Sequence, residues 1–323
     1  MANMITGESL PTQHELSGTP TLNFHHACDV GLGWASLRTF SPLLWSGYRK
    51  FDEACAAVQA YTLPPALKAW QKVRSSSRDA SKLIRGQDIL FAEATAEVVN
   101  SPNELAKEIL AVLIAGTDST GSVLSFAILL LARYPALAKE LRKQVLEAFG
   151  HDAQGLADLS ALSKFEPLQN LIHEVLRLYP PIPLSFRVAK QTCVLPRGAG
   201  TSGTEPFVLK KGETLAFSTY VLHRREDIWG KDANEFRPDR WRNQSIPEWA
   251  FIPFNGGQRP CLGKKLAIAE VSYVLGRIFQ EFNGFELVEA DGAKSTSDRR
   301  AMQLPAFVHH LSLVPSRAFI RFI

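Results

Sequence analysis

Ten residues late in the chain, Phe254-Asn-Gly-Gly257-Gln-Arg259-Pro-Cys261-Leu-Gly263, place one thiol inside a loop framed by glycines. Apolar residues then recur at helical spacing through Leu266, Ala267, Ile268, Val271, Val274, Leu275 and Ile278, which predicts a helix starting just after the cysteine. A thiol placed there meets unsatisfied backbone N–H groups and the positive end of the helix dipole, both of which favour the thiolate. One thiolate on a loop whose glycines let a flat ring approach is the way cysteine ligates haem iron. Arg259 adds a planar fork of donors suited to a propionate carboxylate. The bland alternative is a buried cysteine in a turn.

A second stretch, Ala115-Gly116-Thr117-Asp118-Ser119-Thr120-Gly121, sets glycines and polar residues inside an otherwise apolar helical run. Each glycine there costs about 1 kcal/mol relative to alanine, which suggests a site. Ala115 and Gly116 leave room for a ligand, and Asp118 with Ser119 or Thr120 can pass protons. Read blandly, the same residues are a kink with satisfied hydroxyls. Glu174 and Arg177 lie three apart and can pair on a helix, yet by periodicity they fall off its apolar stripe, so they read as a surface ion pair worth little. His223, His309 and His310 are read as structural, because a thiolate already supplies the proximal ligand. Lys264 and Lys265 are either a solvated helix start or a contact for an acidic partner.

The elements that must hold these residues are mostly helices. Phe51, Ala54, Cys55, Val58, Tyr61 and Leu63 form one stripe, continued from Leu67 to Leu83 after a break at Pro64-Pro65. Ser101-Pro102-Asn103-Glu104 has the capping-box pattern that starts a helix, and Pro135 stops it after Tyr134. That helix is roughly 48 Å long and, apolar on nearly all sides, is expected to be buried. Helices follow from Pro135 to Phe149 and from Phe165 to Tyr179, the latter with Leu168, Leu171, Ile172, Val175 and Leu176 as its stripe. Leu184 to Phe217 reads as a few strands of a small sheet, Phe236 to Pro253 as irregular and aromatic, and Leu311 to Ile323 as a terminal hairpin. The fold class is mainly α with a minor β-sheet, an α+β arrangement.

With 323 residues, 46% of them hydrophobic, the chain can bury a large core. A net charge of +4, with acids interspersed among the bases, argues against nucleic acid as a partner. Cys28, Cys55, Cys193 and Cys261 have no paired spacing, so neither a disulfide framework nor a zinc site is implied. Met1 to Pro20 shows no signal peptide, and the apolar run Val123 to Ala132 is far short of the roughly 20 residues of a span. The expectation is therefore no transmembrane segment.

The cysteine loop resembles the haem-binding signature of the cytochrome P450 superfamily at every defining position. That resemblance implies haem b, held by Cys261 with Phe254, Gly257, Arg259 and Gly263, and by Arg187 toward the second propionate. It implies that Asp118 and Ser119, with Thr120 beside them, deliver protons during dioxygen activation; the family has threonine where Ser119 stands. It turns Glu174 and Arg177 into a buried pair completed by Arg240 from Phe236-Arg-Pro238-Asp-Arg240-Trp241, and makes Pro183, Leu184 and Phe186 cavity residues. Leu176-Arg-Leu-Tyr-Pro-Pro-Ile-Pro-Leu-Ser-Phe-Arg187 and Phe251-Ile-Pro-Phe-Asn-Gly-Gly resemble the fungal alkane and fatty-acid hydroxylase branch. The implied partners are NADPH-cytochrome P450 reductase, O2 and a hydrophobic small molecule, either a fatty acid, an alkane or a secondary-metabolite chain.

The resemblance also implies a boundary. Residues 1–323 correspond to the C-terminal two-thirds of a family member, and Met1-Ala-Asn-Met-Ile resembles the middle of a complete protein. The anchor, most of the larger sheet and the early helices would precede it. Family members sit at the endoplasmic reticulum membrane; without an anchor this chain is expected to be cytoplasmic or peripheral. Two other functions share these motifs: an inactive remnant or interaction protein, and a peroxide-dependent or isomerising haem-thiolate enzyme.

Overall fold

The computed structural model describes residues 5–6, 24, 26–28, 30–34, 49–75, 90–156, 158–243, 245–288 and 319–323. The chain divides into two compact units, Met1–Gly121 with Ala306–Val314, and Ser122–Pro305 with Pro315–Ile323.

In the first unit, α1 (Arg49–Ser75) buries Ala54, Val58, Thr62, Ala66 and Ala69 along one face. That face runs straight through Pro64 and Pro65, where a break was expected. Small side chains on it allow close packing with α2 (Phe91–Ala96) and the first turns of α3 (Pro102–Arg133), whose Leu105, Ile109 and Leu113 join the same core. The packing offsets the two carbonyls left without helical donors by the prolines. The expected stripe is rotated accordingly: Cys55 is exposed and so is Leu67, while 76–89 lie outside the described residues.

Ser101 caps α3 as its sequence predicts, its hydroxyl accepting the Glu104 N–H at 3.2 Å. The glutamate reaches one residue further back than the expected box, accepting the Asn100 N–H at 2.8 Å. Ser101→Ala is expected to cost about 1 kcal/mol, read as a lower midpoint in denaturant unfolding.

Burial of α3 departs from expectation. Leu105, Ala106, Ile109 and Leu113 are buried near its start and Ser122, Val123, Phe126, Ala127 and Leu129 to Leu131 near its end, but no residue from Ile114 to Gly121 is. The unburied stretch is the polar, glycine-containing one. By length and composition α3 is also apolar enough to cross a membrane, with a mean hydropathy of 1.5 over its best window, although only 28% of that window is buried. The expectation of no such segment rested on the shorter run Val123 to Ala132, whereas the whole helix passes by length and composition alone.

In the second unit, α4 (Pro135–Phe149) ends at Gly150 with φ +72°. Then come α5 (Leu159–Leu162), capped by the Asp158 carboxylate, and α6 (Glu166–Leu178), whose five stripe residues are all nearly or fully buried. Four strands follow, β1 (Leu184–Val188), β2 (Cys193–Ala199), β3 (Glu205–Leu209) and β4 (Thr214–Ser218). They form two separate antiparallel pairs, β1 with β4 and β2 with β3, instead of one small sheet. The short helices α7 (Thr219–Leu222), α8 (Glu226–Trp229) and α9 (Arg240–Asn243) punctuate the aromatic meander. Finally α10 (Lys264–Glu281) packs on α4, α5 and α6.

Of the hairpin expected from Leu311 to Ile323, residues 319–323 are described. β6 (Phe319–Phe322) pairs antiparallel with β5 (Phe285–Val288), from Phe285 opposite Phe322 to Val288 opposite Phe319. Residues 311–318 lie outside the described part. The strand's apolar residues find partners in a distant segment, a pairing that local pattern does not encode.

Candidate functional site

Glu174 organises the second unit. α6 is enclosed by the meander, so residues off its apolar stripe are buried as well, and Glu174 and Arg177 have no exposed side-chain surface. This corrects the surface-pair reading drawn from periodicity. The Glu174 carboxylate accepts five hydrogen bonds: Arg177 Nε at 2.8 Å and Nη2 at 2.9 Å, Arg240 Nε at 2.9 Å, the Arg237 N–H at 2.8 Å and Trp241 Nε1 at 3.0 Å. Arg177 donates its remaining N–H groups to the carbonyls of His223 at 2.8 Å, Ala233 at 2.5 Å and Glu235 at 3.0 Å. All five guanidinium donors are thereby used. Arg240, also buried, donates to the Trp229, Asp232 and Glu235 carbonyls. With all five Arg177 donors committed, three of them to carbonyls, the trio ties meander backbone to α6.

From this centre the order passes to the cysteine loop through His223. Its carbonyl accepts from Arg177, and its Nε2 accepts the Ile252 N–H at 3.0 Å. The ring lies among Phe251 and Trp229, with centroids at 5.2 and 6.4 Å. Burial, with the nearby Arg177 and Arg224 charges adding to it, lowers its pKa to about 4. His173, packed against Trp241 and Phe251, is likewise lowered to about 4, first by burial and then by Lys264.

Both shifts make stability depend on pH. Between pH 4 and 6.5 the unfolded chain binds protons that the folded chain does not, so stability is full above 6.5 and falls as pH drops. The expected loss between pH 7 and pH 5 is roughly 2 kcal/mol for each histidine. Denaturant midpoints at the two values measure it, and a His223→Gln chain should show about half the pH slope.

Beyond Ile252 the loop closes on itself. Asn255 N–H donates to the Ile252 carbonyl at 3.0 Å, and Cys261 N–H to the Phe254 carbonyl at 2.8 Å. Asn255 and Gly257 adopt left-handed backbone, φ 55° and 65°, which glycine takes at no steric cost. Gly263 then caps α10. Cys261 and Arg259 are exposed, as are Lys264 and Lys265 one turn on. Nothing lies within 4 Å of where a Gly263 Cβ would stand. An open thiol, a helix N-terminus behind it and glycine backbone beside it fit the proximal side of a haem.

On β1, Leu184 and Phe186 are more than half exposed, on one side of the strand. Pro183 differs from them: it is buried, and its carbonyl accepts from Ser218 Oγ at 3.0 Å and Tyr220 N at 3.3 Å, which anchors the strand start. Arg187 is exposed but bonds the Phe186 carbonyl at 2.8 Å and lies 5.5 Å from the Phe217 ring. That bond uses one of the five guanidinium donors and leaves others for a carboxylate.

Ala115 to Thr120 belong to the first unit and stay helical throughout. Ser119 Oγ bonds the Ala115 carbonyl at 2.7 Å, the usual tie of a helical serine. Thr120 Oγ1 is buried with no hydrogen-bond partner among the described residues, and Asp118 is half-buried. His309 and His310 lie outside the described residues.

Sequence reasoning read His223 as structural without its Ile252 partner, and missed Trp241 and the Arg237 N–H as parts of the scaffold. The signal was present in the density of aromatics from Phe236 to Phe251, but pairing partners so far apart in sequence carry no local signature.

The family model described as Cytochrome P450 matches residues 33–306. Cytochrome P450 52A6 of Candida tropicalis is 33% identical over 280 residues, 84% of this chain and 52% of that protein. Cytochrome P450 52E1 of Candida apicola is 37% identical over 265 residues, 81% and 48% respectively. Cytochrome P450 monooxygenase g430 of a Fusarium species is 40% identical over 206 residues, 64% and 36%. The chain thus spans about half the length, or less, of the curated relatives it matches.

Proposed function

The chain belongs to the cytochrome P450 family, and from that premise we propose that it is a haem-thiolate monooxygenase that inserts one oxygen atom into a C–H bond of an aliphatic substrate. The observation that carries this reading is Cys261, exposed on a glycine-framed loop at the start of α10. Haem b, when bound, supplies the redox chemistry that activates dioxygen. Cys261 ligates its iron, with Arg259 and Arg187 as donors to the propionates and Phe254, Gly257 and Gly263 shaping the loop. Asp118 and Ser119 hold and pass protons, with the Thr120 hydroxyl beside them. The resemblance assigns Leu184 and Phe186, and separately Ala115 and Gly116, to substrate contact, while Pro183 anchors the start of β1.

The match to fungal relatives and the hydroxylase-branch motifs favour a fatty acid, an alkane or a secondary-metabolite chain. Lys264 and Lys265 offer a basic face to NADPH-cytochrome P450 reductase. The endoplasmic reticulum membrane is the expected place of work. The test is turnover of the haem-loaded chain with reductase, NADPH, a fatty-acid panel and isotopically labelled dioxygen. One labelled oxygen in a hydroxylated product is expected. Product formed with peroxide alone, or unlabelled product, would replace the monooxygenase reading with the peroxide-dependent one.

A further inference from the structure

Trp249 holds a backbone conformation that bulky residues rarely adopt, with φ 69°. Its side chain is 56% exposed, so burial of the indole does not explain the strain. What the conformation achieves is contact with the cysteine loop. A Cβ built on Gly256 would stand 2.5 Å from Trp249 Cζ3 and 3.0 Å from its Cη2, and one on Gly257 would stand 3.9 Å from Cη2. The indole therefore lies flush against the Gly256-Gly257 backbone, at the turn that precedes Arg259 and Cys261.

Among the described residues the loop's backbone hydrogen bonds lie at its neck, from Asn255 N–H to the Ile252 carbonyl and from Cys261 N–H to the Phe254 carbonyl. Residues 257–262 are exposed. Strain that persists at an exposed aromatic is a mark of a position over-determined for function.

We propose that Trp249 is a positioning residue for the Cys261 ligand: its indole clamps the Gly256-Gly257 turn from outside and so fixes where the thiolate is presented. Gly256 is glycine because the indole fills the space a side chain would need. The consequence at the iron rests on the haem-thiolate reading, but the clamp itself does not.

Amide hydrogen exchange in the haem-free chain tests the clamp. Trp249→Ala is expected to speed exchange of the Cys261 N–H about tenfold, as local opening becomes easier, while Trp249→Phe keeps most of the protection. Gly256→Ala should speed it too in the wild-type chain, and have little effect once Trp249 is alanine. Additive effects of the two changes, or an unaltered Cys261 amide in Trp249→Ala, would overturn the proposal. In the haem-loaded chain the same Trp249→Ala change is expected to hasten conversion of the reduced, carbon monoxide-bound Soret band from its thiolate position to its thiol position. If wild type shows no thiolate band the haem reading fails and the exchange result still stands; if wild type shows it and the variant converts no faster, the clamp does not act on the ligand.

Discussion

Glu174→Ala is expected to lower stability by about 3–5 kcal/mol, enough to leave much of the chain unfolded at room temperature. The side chain it removes is completely buried and accepts five hydrogen bonds. Without it the Arg177 and Arg240 guanidinium groups remain in the interior with no carboxylate between them. Each of these charges was brought out of water at large cost, which the attraction within the trio offsets together with the carbonyl acceptors and, for Arg240, the Asp232 carboxylate at 3.4 Å. Glu174→Gln should be nearly as damaging, since an amide offers one acceptor oxygen where the carboxylate offered two and no charge at all. Denaturant unfolding followed by tryptophan fluorescence reads the loss, because Trp229 and Trp241 pack at the trio. A Glu174→Gln chain with wild-type stability would show that the trio contributes little. Because Arg177 also ties the carbonyls of His223, Ala233 and Glu235, the meander that leads to the cysteine loop should lose its order first.

Cys261→Ala is expected to do the opposite: leave the fold alone and abolish the chemistry. The side chain is exposed, and its backbone N–H bond to Phe254 survives the change, so stability should move by no more than about 0.5 kcal/mol. Thiolate ligation should disappear altogether, because none of the other cysteines, Cys28, Cys55 and Cys193, belongs to the loop that opens α10. Hydroxylation should fall to background even when haem is supplied. Circular dichroism unchanged beside a lost thiolate spectrum is the expected pair of results. Turnover retained by Cys261→Ala would remove the haem-thiolate reading.

These two residues also show how far sequence goes. The cysteine loop was legible because its chemistry is local: ten consecutive residues state the ligand, the turn glycines and the helix that follows. Ser101 and Pro135 bounded α3 for the same reason, since caps and stops act within one turn. Glu174 was misjudged by periodicity, which assigns every residue off the stripe to solvent. The side of α6 that carries Glu174 is covered by a meander some fifty residues later in the chain, and only the family resemblance supplied that information. The prolines of α1 failed as a stop because tertiary packing outweighed a local penalty. The pairing of β6 with β5 could not be read because strand pairing between distant segments leaves no pattern in either one. Trp249 could not be singled out at all: nothing in a tryptophan's sequence neighbours announces a left-handed backbone.

The central claim is that Cys261 ligates a haem iron as thiolate, and one measurement reaches it directly. The purified 323-residue chain, loaded with haem and reduced with dithionite, is exposed to carbon monoxide and the difference spectrum recorded. The account predicts a full-amplitude, red-shifted Soret band in the wild-type chain and none in Cys261→Ala. Haem that binds but gives only the thiol-type band, or a chain that takes up no haem, would contradict it and leave an interaction protein or an inactive remnant as the better description.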